Sequence, residues 1–249
     1  LDFSLVEAVP PQIPGAPGRC LTPVFSQYKL MRVIGAIPVN TGGPRGVIPS
    51  MSSSERLRLR EVRAAFCLVG EVKELGTDPH DWWPHLLQGL CQLTGAASAI
   101  GGGLEGVFFV NPRVHVLGNF FAQFNDDDVL RFMHFMVHEK WKMIDEGGEG
   151  YYRLRGQGAL LNVRTNEQMM ALHRWRRSEM FNDYFRPSRI DDRMYSFCKA
   201  PNGRRDVVDL WNGITLFRGL GARPFTARDR RLLRLVHGEL RPLIGSKLA

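Results

Sequence analysis

The first 50 residues are dense in proline and glycine, which limits where this chain can build a core. They hold eight prolines and six glycines, including Pro10-Pro11 and Gly42-Gly43. Proline removes a backbone donor and glycine raises the entropy cost of ordering, so no regular core is expected here. Met51 begins a serine-rich stretch that resembles the natural amino-terminal start of a protein. We interpret residues 1–50 as a disordered leader or an over-extended reading frame, and expect residues 51–249 to fold.

Helical patterns stand at both ends of this folding region. Residues 54–75 repeat apolar side chains three and four positions apart, and Gly76 can end that helix. Asp78 and Pro79 suit the start of a second helix, which runs to Gly95. Near the carboxyl end, a capping box at residues 226–229 precedes a last apolar stripe up to residue 244.

Strand patterns fill the middle of the region. Short apolar or alternating stretches predict strands at residues 97–101, 107–110, 114–121, 151–163, 194–199 and 205–218. We interpret Gly101-Gly102-Gly103 as a turn between edge strands. Helices are predicted at residues 125–147, where Asp126-Asp127-Asp128 favours a helix start, and at residues 166–185. Helices at both ends of an antiparallel sheet predict an α+β fold.

Several classes of site are disfavoured by the residue types. The four cysteines (Cys20, Cys67, Cys91 and Cys198) form no CxxC pair, which argues against a zinc site or disulfide framework and favours a cytoplasmic protein. No apolar run reaches membrane-spanning length. His134 and His138 share a helix face, but Phe135 stands where a zincin has glutamate. We therefore expect no metal, no cofactor and no catalytic residue.

The positive charge is concentrated in the second half of the chain. The whole chain has 33 Lys and Arg against 25 Asp and Glu, a net charge of +8. Residues 151–249 hold 20 basic and 9 acidic side chains, whereas residues 51–150 hold 9 and 14. The basic half suits nucleic acid, an anionic ligand or an acidic partner, and it equally suits a solvated arginine-rich surface. The same two interpretations, nucleic-acid contact or a solvated helix face, apply to the arginines that flank Trp175. These are Arg174, Arg176 and Arg177.

Aromatic side chains gather in the second half of the folding region. Such residues build either a core or a cavity for a planar ligand, because tryptophan and tyrosine join an apolar ring to a polar group. The residues that we predict to contact a ligand are Trp141, Trp175, Phe181, Tyr184, Tyr195, Cys198 and Trp211.

An ordered series of short motifs resembles a known family. The motifs are Phe181-Asn182-Asp183-Tyr184, Arg186-Pro187, Ile190-Asp191-Asp192, Arg223-Pro224-Phe225-Thr226, Arg228-Asp229 and Leu232-Leu233. Together they resemble the sensor region of LuxR-type helix-turn-helix transcription regulators, in which a GAF/PAS-like module precedes a DNA-binding domain. The resemblance covers about residues 51–246 and none of residues 1–50.

The resemblance implies a fold and a function. The expected fold of residues 51–249 is a GAF-like antiparallel sheet flanked by helices, with the first and last helices adjacent. The expected function is a non-enzymatic sensing or dimerisation module that responds to a small molecule or a partner. A homodimer is expected through Leu59, Val62, Phe66 and Val69 on the first helix. DNA contact is expected only through a helix-turn-helix domain, for which no residues remain before Ala249.

Two alternatives stay open at this point. An enzyme or cofactor protein on the same fold would use polar groups of the aromatic region, such as His173, Cys198 or Tyr184. A nucleic-acid-binding protein would use the basic second half and would show steeply salt-dependent affinity.

Overall fold

The computed structural model describes residues 56–105, 113–121, 126–134, 161–199 and 210–244. Some of the predictions concern residues outside these ranges. They are the leader at residues 1–50, the strand at 107–110, most of the strand at 151–163, and the residues Trp141 and His138. The described helices are α1 (Leu59–Glu74), α2 (Pro79–Thr94), α3 (Asp126–His134), α4 (Asn166–Met169), α5 (Leu172–Arg177) and α6 (Ala227–Ile244). The strands are β1 (Ser98–Glu105), β2 (Arg113–Phe121), β3 (Leu161–Thr165), β4 (Ile190–Lys199) and β5 (Leu210–Gly219).

The five strands form one sheet in the order β2-β1-β5-β4-β3, and each neighbouring pair is antiparallel. Helices flank this sheet, so the predicted α+β class is confirmed. Successive side chains of a strand point to opposite sides of a sheet. We call the side covered by α1, α2 and α6 the helix face, and the opposite side the second face.

The helix face carries the main apolar core. Side chains from α1, α2 and α6 pack there against Ala99, Val163, Met194, Ile214 and Leu216 of the sheet. The first and last long helices contact each other, and Arg228 of α6 forms an ion pair with Glu61 of α1. The predicted adjacency of the terminal helices is therefore confirmed.

Local signals explain where these helices begin and end. Asp78 accepts a hydrogen bond from the backbone N–H of His80 at 3.0 Å, which caps α2, and Gly95 ends that helix at a φ of 69°. The predicted capping box of α6 is present, since Asp229 accepts from the backbone N–H of Thr226 at 2.9 Å. None of the described helices is long and apolar enough to cross a membrane.

The interpretation of Gly101-Gly102-Gly103 as a turn is wrong, because all three residues lie inside β1. The indole of Trp83 lies directly over this strand. A Cβ atom added to Gly101 would stand 2.2 Å from Cζ3 of Trp83, so the strand needs glycine to admit the ring.

The single helix predicted at residues 166–185 is also wrong. The structure has α4, α5 and a π-helical turn (Phe181–Phe185) there, separated at Met170 and Ser178 by extended backbone. Ser178 ends α5 and its hydroxyl accepts from the backbone N–H of Phe181 at 3.1 Å, which starts the next turn. His173, one of the polar groups named for the enzyme alternative, is exposed. Strand β4 begins at Ile190, four residues before its predicted start.

Candidate functional site

Cross-strand pairing arranges the second face in four rows across β1, β5, β4 and β3. In order along the sheet, the rows are Ser98, Phe217 and Arg193; Ile100, Thr215, Tyr195 and Arg164; Gly102, Gly213, Phe197 and Asn162; and Leu104, Trp211 and Lys199. Side chains within one row are near neighbours, with Cβ atoms about 4.5–5.5 Å apart. The rows therefore define a surface whose two ends differ.

Small residues lie on β1 and β5 in the two middle rows, beside the larger Ile100, Tyr195 and Phe197. Gly102, Gly213 and Thr215 occupy neighbouring positions there, and all three are half-buried. Phe217 lies toward one end of the same strand and Trp211 toward the other, and both are buried. These three residues form a low centre between the aromatic ends. It is bordered on the β4 side by Tyr195 and by Phe197, whose Cε1 lies 3.2 Å from where a Cβ atom of Gly213 would stand.

The Phe217 end is closed by an aromatic cluster. Trp175 of α5 is fully buried, and its indole N–H donates to the backbone carbonyl of Asp191 at 3.1 Å. Its ring centroid lies 5.1 Å from that of Phe181 and 5.2 Å from that of Phe185. The ring centroid of Phe185 lies 6.2 Å from that of Phe217. These contacts attach α5 and the π-helical turn to the sheet.

Arg193 lies inside this cluster and is only 2% exposed. Its guanidinium carbon is 3.8 Å from the ring centroid of Trp175, 4.6 Å from that of Phe185 and 5.1 Å from that of Tyr195. Its Nε and Nη2 donate to Oδ1 of Asn166 at 3.2 and 3.1 Å. A cation enclosed by aromatic rings and a neutral amide is an unusual centre for an otherwise apolar cluster.

The structure brings together only some of the residues predicted to contact a ligand. Trp175, Phe181 and Tyr184 lie in one cluster, and Tyr195 joins it through Arg193. Trp211 lies six positions from Phe217 along β5, roughly 20 Å away. Trp141 lies outside the described residues.

Cys198 is placed on the helix face, opposite Trp175, since it shares its side of β4 with Met194 and Ser196. Burial raises the pKa of its thiol to about 11. The side chain is therefore uncharged near neutral pH, and it packs as a small apolar group without nucleophilic character.

Oγ of Ser98, beside Phe217, and Nε1 of Trp211, at the other end, are buried on the second face without a hydrogen-bond partner among the described residues. The same holds for Nε1 of Trp82 and of Trp83 in the helix-face core. Buried polar atoms are almost always paired in folded proteins. On the second face, these two donors lie at opposite ends of the low centre, where a bound polar molecule could accept from either of them.

Ser196 and His237 form a polar pair on the helix face, where both are buried away from any substrate. Oγ of Ser196 and Nδ1 of His237 are 2.6 Å apart, and both residues are fully buried between β4 and α6. Burial lowers the pKa of His237 to about 3, so the imidazole is neutral at physiological pH. The pair connects α6 to the sheet. Within the described ranges, no three His, Cys, Asp or Glu side chains come together as a metal site.

Sequence reasoning missed Arg193, Asn166 and Ser98. A predicted strand that began one residue earlier, at Arg193, would have placed this side chain on the same side of the sheet as Tyr195. Asn166 and Ser98 carried no such signal, because their role depends on contacts with residues far away in the sequence.

No protein-family model and no curated protein matches the sequence. The structure is similar to the LBD domain of VqsR from Pseudomonas aeruginosa, with a TM-score of 0.47 and 15% identity over 71% of this chain and 92% of that one. It is also similar to CepR2 from Burkholderia cenocepacia, an N-acylhomoserine lactone dependent LuxR family transcription factor. There the TM-score is 0.40 and the identity 12%, over 76% of this chain and 98% of that one.

Proposed function

We propose that residues 51–249 form a non-enzymatic sensing module of a cytoplasmic transcription regulator, and that it binds a small molecule on the second face. One observation carries this proposal: half-buried small residues of β1 and β5 lie between two buried aromatic ends and beside the rings of Tyr195 and Phe197, and each end holds a buried donor without a partner among the described residues. A concave, mostly apolar surface with a few polar groups is the usual form of a ligand site. DNA contact is assigned in this proposal to a helix-turn-helix domain and not to this module.

Strand alternation supplies a route from this surface to the last helix. Arg193 and Phe217 face the proposed ligand, whereas their chain neighbours Asp192 and Arg218 face the opposite side. Asp192 accepts from the backbone N–H of Phe225 at 2.8 Å, and Arg218 donates to Asp229 of α6 at 3.1 Å. A ligand that shifts β4 or β5 would therefore bias the position of the start of α6, which is a population shift between two arrangements.

A large side chain at Thr215 is expected to block the proposed site. Tryptophan at this position would occupy the low centre of the second face, so Thr215→Trp should weaken small-molecule binding by at least about tenfold, equal to about 1.4 kcal/mol. Calorimetric titration of the full chain with benzoate, phenylacetate, octanoate and their three amides measures this. Leu172→Trp, at a 48%-exposed position on α5, is the matched control and should bind as the unchanged chain does. Equal binding by the two variants would contradict a site on this face.

We further propose that the module is a homodimer joined through α1. Leu59 is 55% exposed at the start of this helix, and Val62 and Phe66 are half-buried along it. Val69, also predicted at this interface, is buried in the chain's own core and presents no surface. The proposed interface is therefore carried by the first three residues.

Light scattering of the full chain is expected to give twice the mass of the 28.2-kDa chain. Leu59→Glu places a charge in the proposed interface and should raise the dimer dissociation constant by about tenfold or more. Leu172→Glu alters an exposed leucine elsewhere and should leave the mass unchanged. A strict monomer at high concentration, or equal effects of the two variants, would overturn the dimer.

A further inference from the structure

Arg193 places a cation in the interior of the aromatic cluster. Among the described residues, no carboxylate lies within ion-pair distance of its guanidinium, and the side chain is 2% exposed. Arginine remains protonated in proteins, so the site holds a full positive charge. Buried charges are ordinarily paired, because removing an ion from water carries a large desolvation cost.

The contacts that Arg193 does make neutralise little of this charge. A guanidinium has five N–H donors, and three hydrogen bonds use them: two to Oδ1 of Asn166 and one of 3.8 Å to Sδ of Met180. The rings of Trp175, Phe185 and Tyr195 add cation–π attraction. Amide, thioether and rings are all uncharged, so the positive charge and two donors remain for another group.

The described part of the second face offers Arg193 no acidic partner. Its four rows, all within the described residues, contain Arg193, Arg164 and Lys199 and no aspartate or glutamate. Asp192 belongs to the other face, where it accepts from Phe225, and Asp191 lies 3.8 Å from Arg176 at the surface. Asp192 interacts electrostatically with Arg193 and with Arg218, and it shares the helix face with Arg218.

We propose that the molecule sensed by this module is a small carboxylate with an apolar or aromatic body, and that its carboxylate pairs with Arg193. This inference rests on the function proposed above. The guanidinium fork matches a carboxylate with two parallel hydrogen bonds. Ser98 stands in the same cross-strand row, two positions away across Phe217, and its unpaired hydroxyl is a further donor toward that end of the site. One buried cation neutralises one negative charge, which favours a carboxylate over a doubly charged phosphate.

The charge preference is tested on the unchanged full chain by comparing acids with their own amides. Benzoate, phenylacetate and octanoate are titrated calorimetrically beside benzamide, phenylacetamide and octanamide. At least one acid is expected to bind about tenfold or more tightly than its amide, a difference of about 1.4 kcal/mol. The comparison needs no altered protein, so it stands even if a substitution at Arg193 prevents folding.

Variants then assign the preference to one side chain. Arg193→Met removes the charge and should abolish the difference between acid and amide, while Arg193→Lys keeps the charge and should retain part of it. Arg174→Met removes an exposed arginine of α5 and should leave the difference unchanged. If each acid binds as tightly as its amide, and Thr215→Trp weakens the binding of both, the carboxylate proposal is overturned. The proposed sensing function would stand in that case. Binding of none of the six probes would overturn both.

Discussion

Replacing Arg218 with methionine is expected to reduce the free energy of unfolding by about 3–5 kcal/mol. Arg218 is almost fully buried, and its Nη2 donates to Asp229 at 3.1 Å and to the carbonyl of Thr94 at 2.8 Å. One side chain thus joins β5, the end of α2 and the start of α6. Burial lowers the pKa of Arg218, and the nearby charge of Asp229 opposes this effect. Methionine would fill most of the volume but leave the buried carboxylate of Asp229 without its main partner.

Arg223 offers a matched control for this prediction. It also approaches Asp229, at 3.8 Å, but it is 62% exposed. Exposed ion pairs contribute little because water screens them, so Arg223→Met should change the unfolding free energy by no more than about 0.5 kcal/mol. Urea denaturation of the full chain measures both variants. If Arg218→Met and Arg223→Met reduced the free energy of unfolding by similar amounts, burial would not determine how strongly each arginine interacts with Asp229.

The second large effect is expected where α2 crosses the sheet. Trp83 is fully buried, and its ring stacks on Trp82 with centroids 4.8 Å apart and lies against Gly101. Trp83→Ala should cost about 3–5 kcal/mol through the cavity that it leaves. Gly101→Ala should cost about 1–3 kcal/mol, because its new Cβ atom would overlap the indole.

The two changes should not be additive. Once Trp83 is removed, the added Cβ at position 101 meets empty space, so the double variant should be less destabilised than the sum by about 0.5–3 kcal/mol. Gly70→Ala is the control glycine, since a Cβ there meets nothing within 4 Å and alanine favours a helix. Strict additivity in thermal or urea unfolding would contradict the packing of Trp83 against this strand.

Periodicity and capping predicted the parts of the fold that depend on neighbouring residues. The spacing in α1, the Asp78 cap of α2 and the Thr226–Asp229 box of α6 are local features, and all three helices are present. The ends of α2 and α6 lie close to those predicted, whereas α1 begins at Leu59, five residues after its predicted start. The triple glycine was misread because its cause is Trp83, on another element. The helix at 166–185 was misread because Ser178 interrupts it and starts a new turn.

The candidate site was predicted only in part for the same reason. Aromatic content indicated Trp175, Phe181, Tyr184 and Tyr195, which the structure places around one cluster. Composition could not separate the two faces of the sheet, so Cys198 was grouped with residues on its opposite side. The burial of Arg193 depends on three rings from separate segments, and a positive charge in a strand gives no sign of this by itself.

Fluorine NMR of the full chain labelled with 5-fluorotryptophan tests the binding surface most directly. The chain has five tryptophans: Trp175 and Trp211 lie on the second face, while Trp82 and Trp83 lie in the helix-face core and serve as internal controls. Single Trp→Phe variants assign the resonances, and the added probes are the acid that binds most tightly in the calorimetric titrations and its amide. A small molecule bound on the second face should shift the Trp175 resonance and leave those of Trp82 and Trp83 in place. Equal shifts on both faces, or no shift at Trp175 with either probe, would contradict the account.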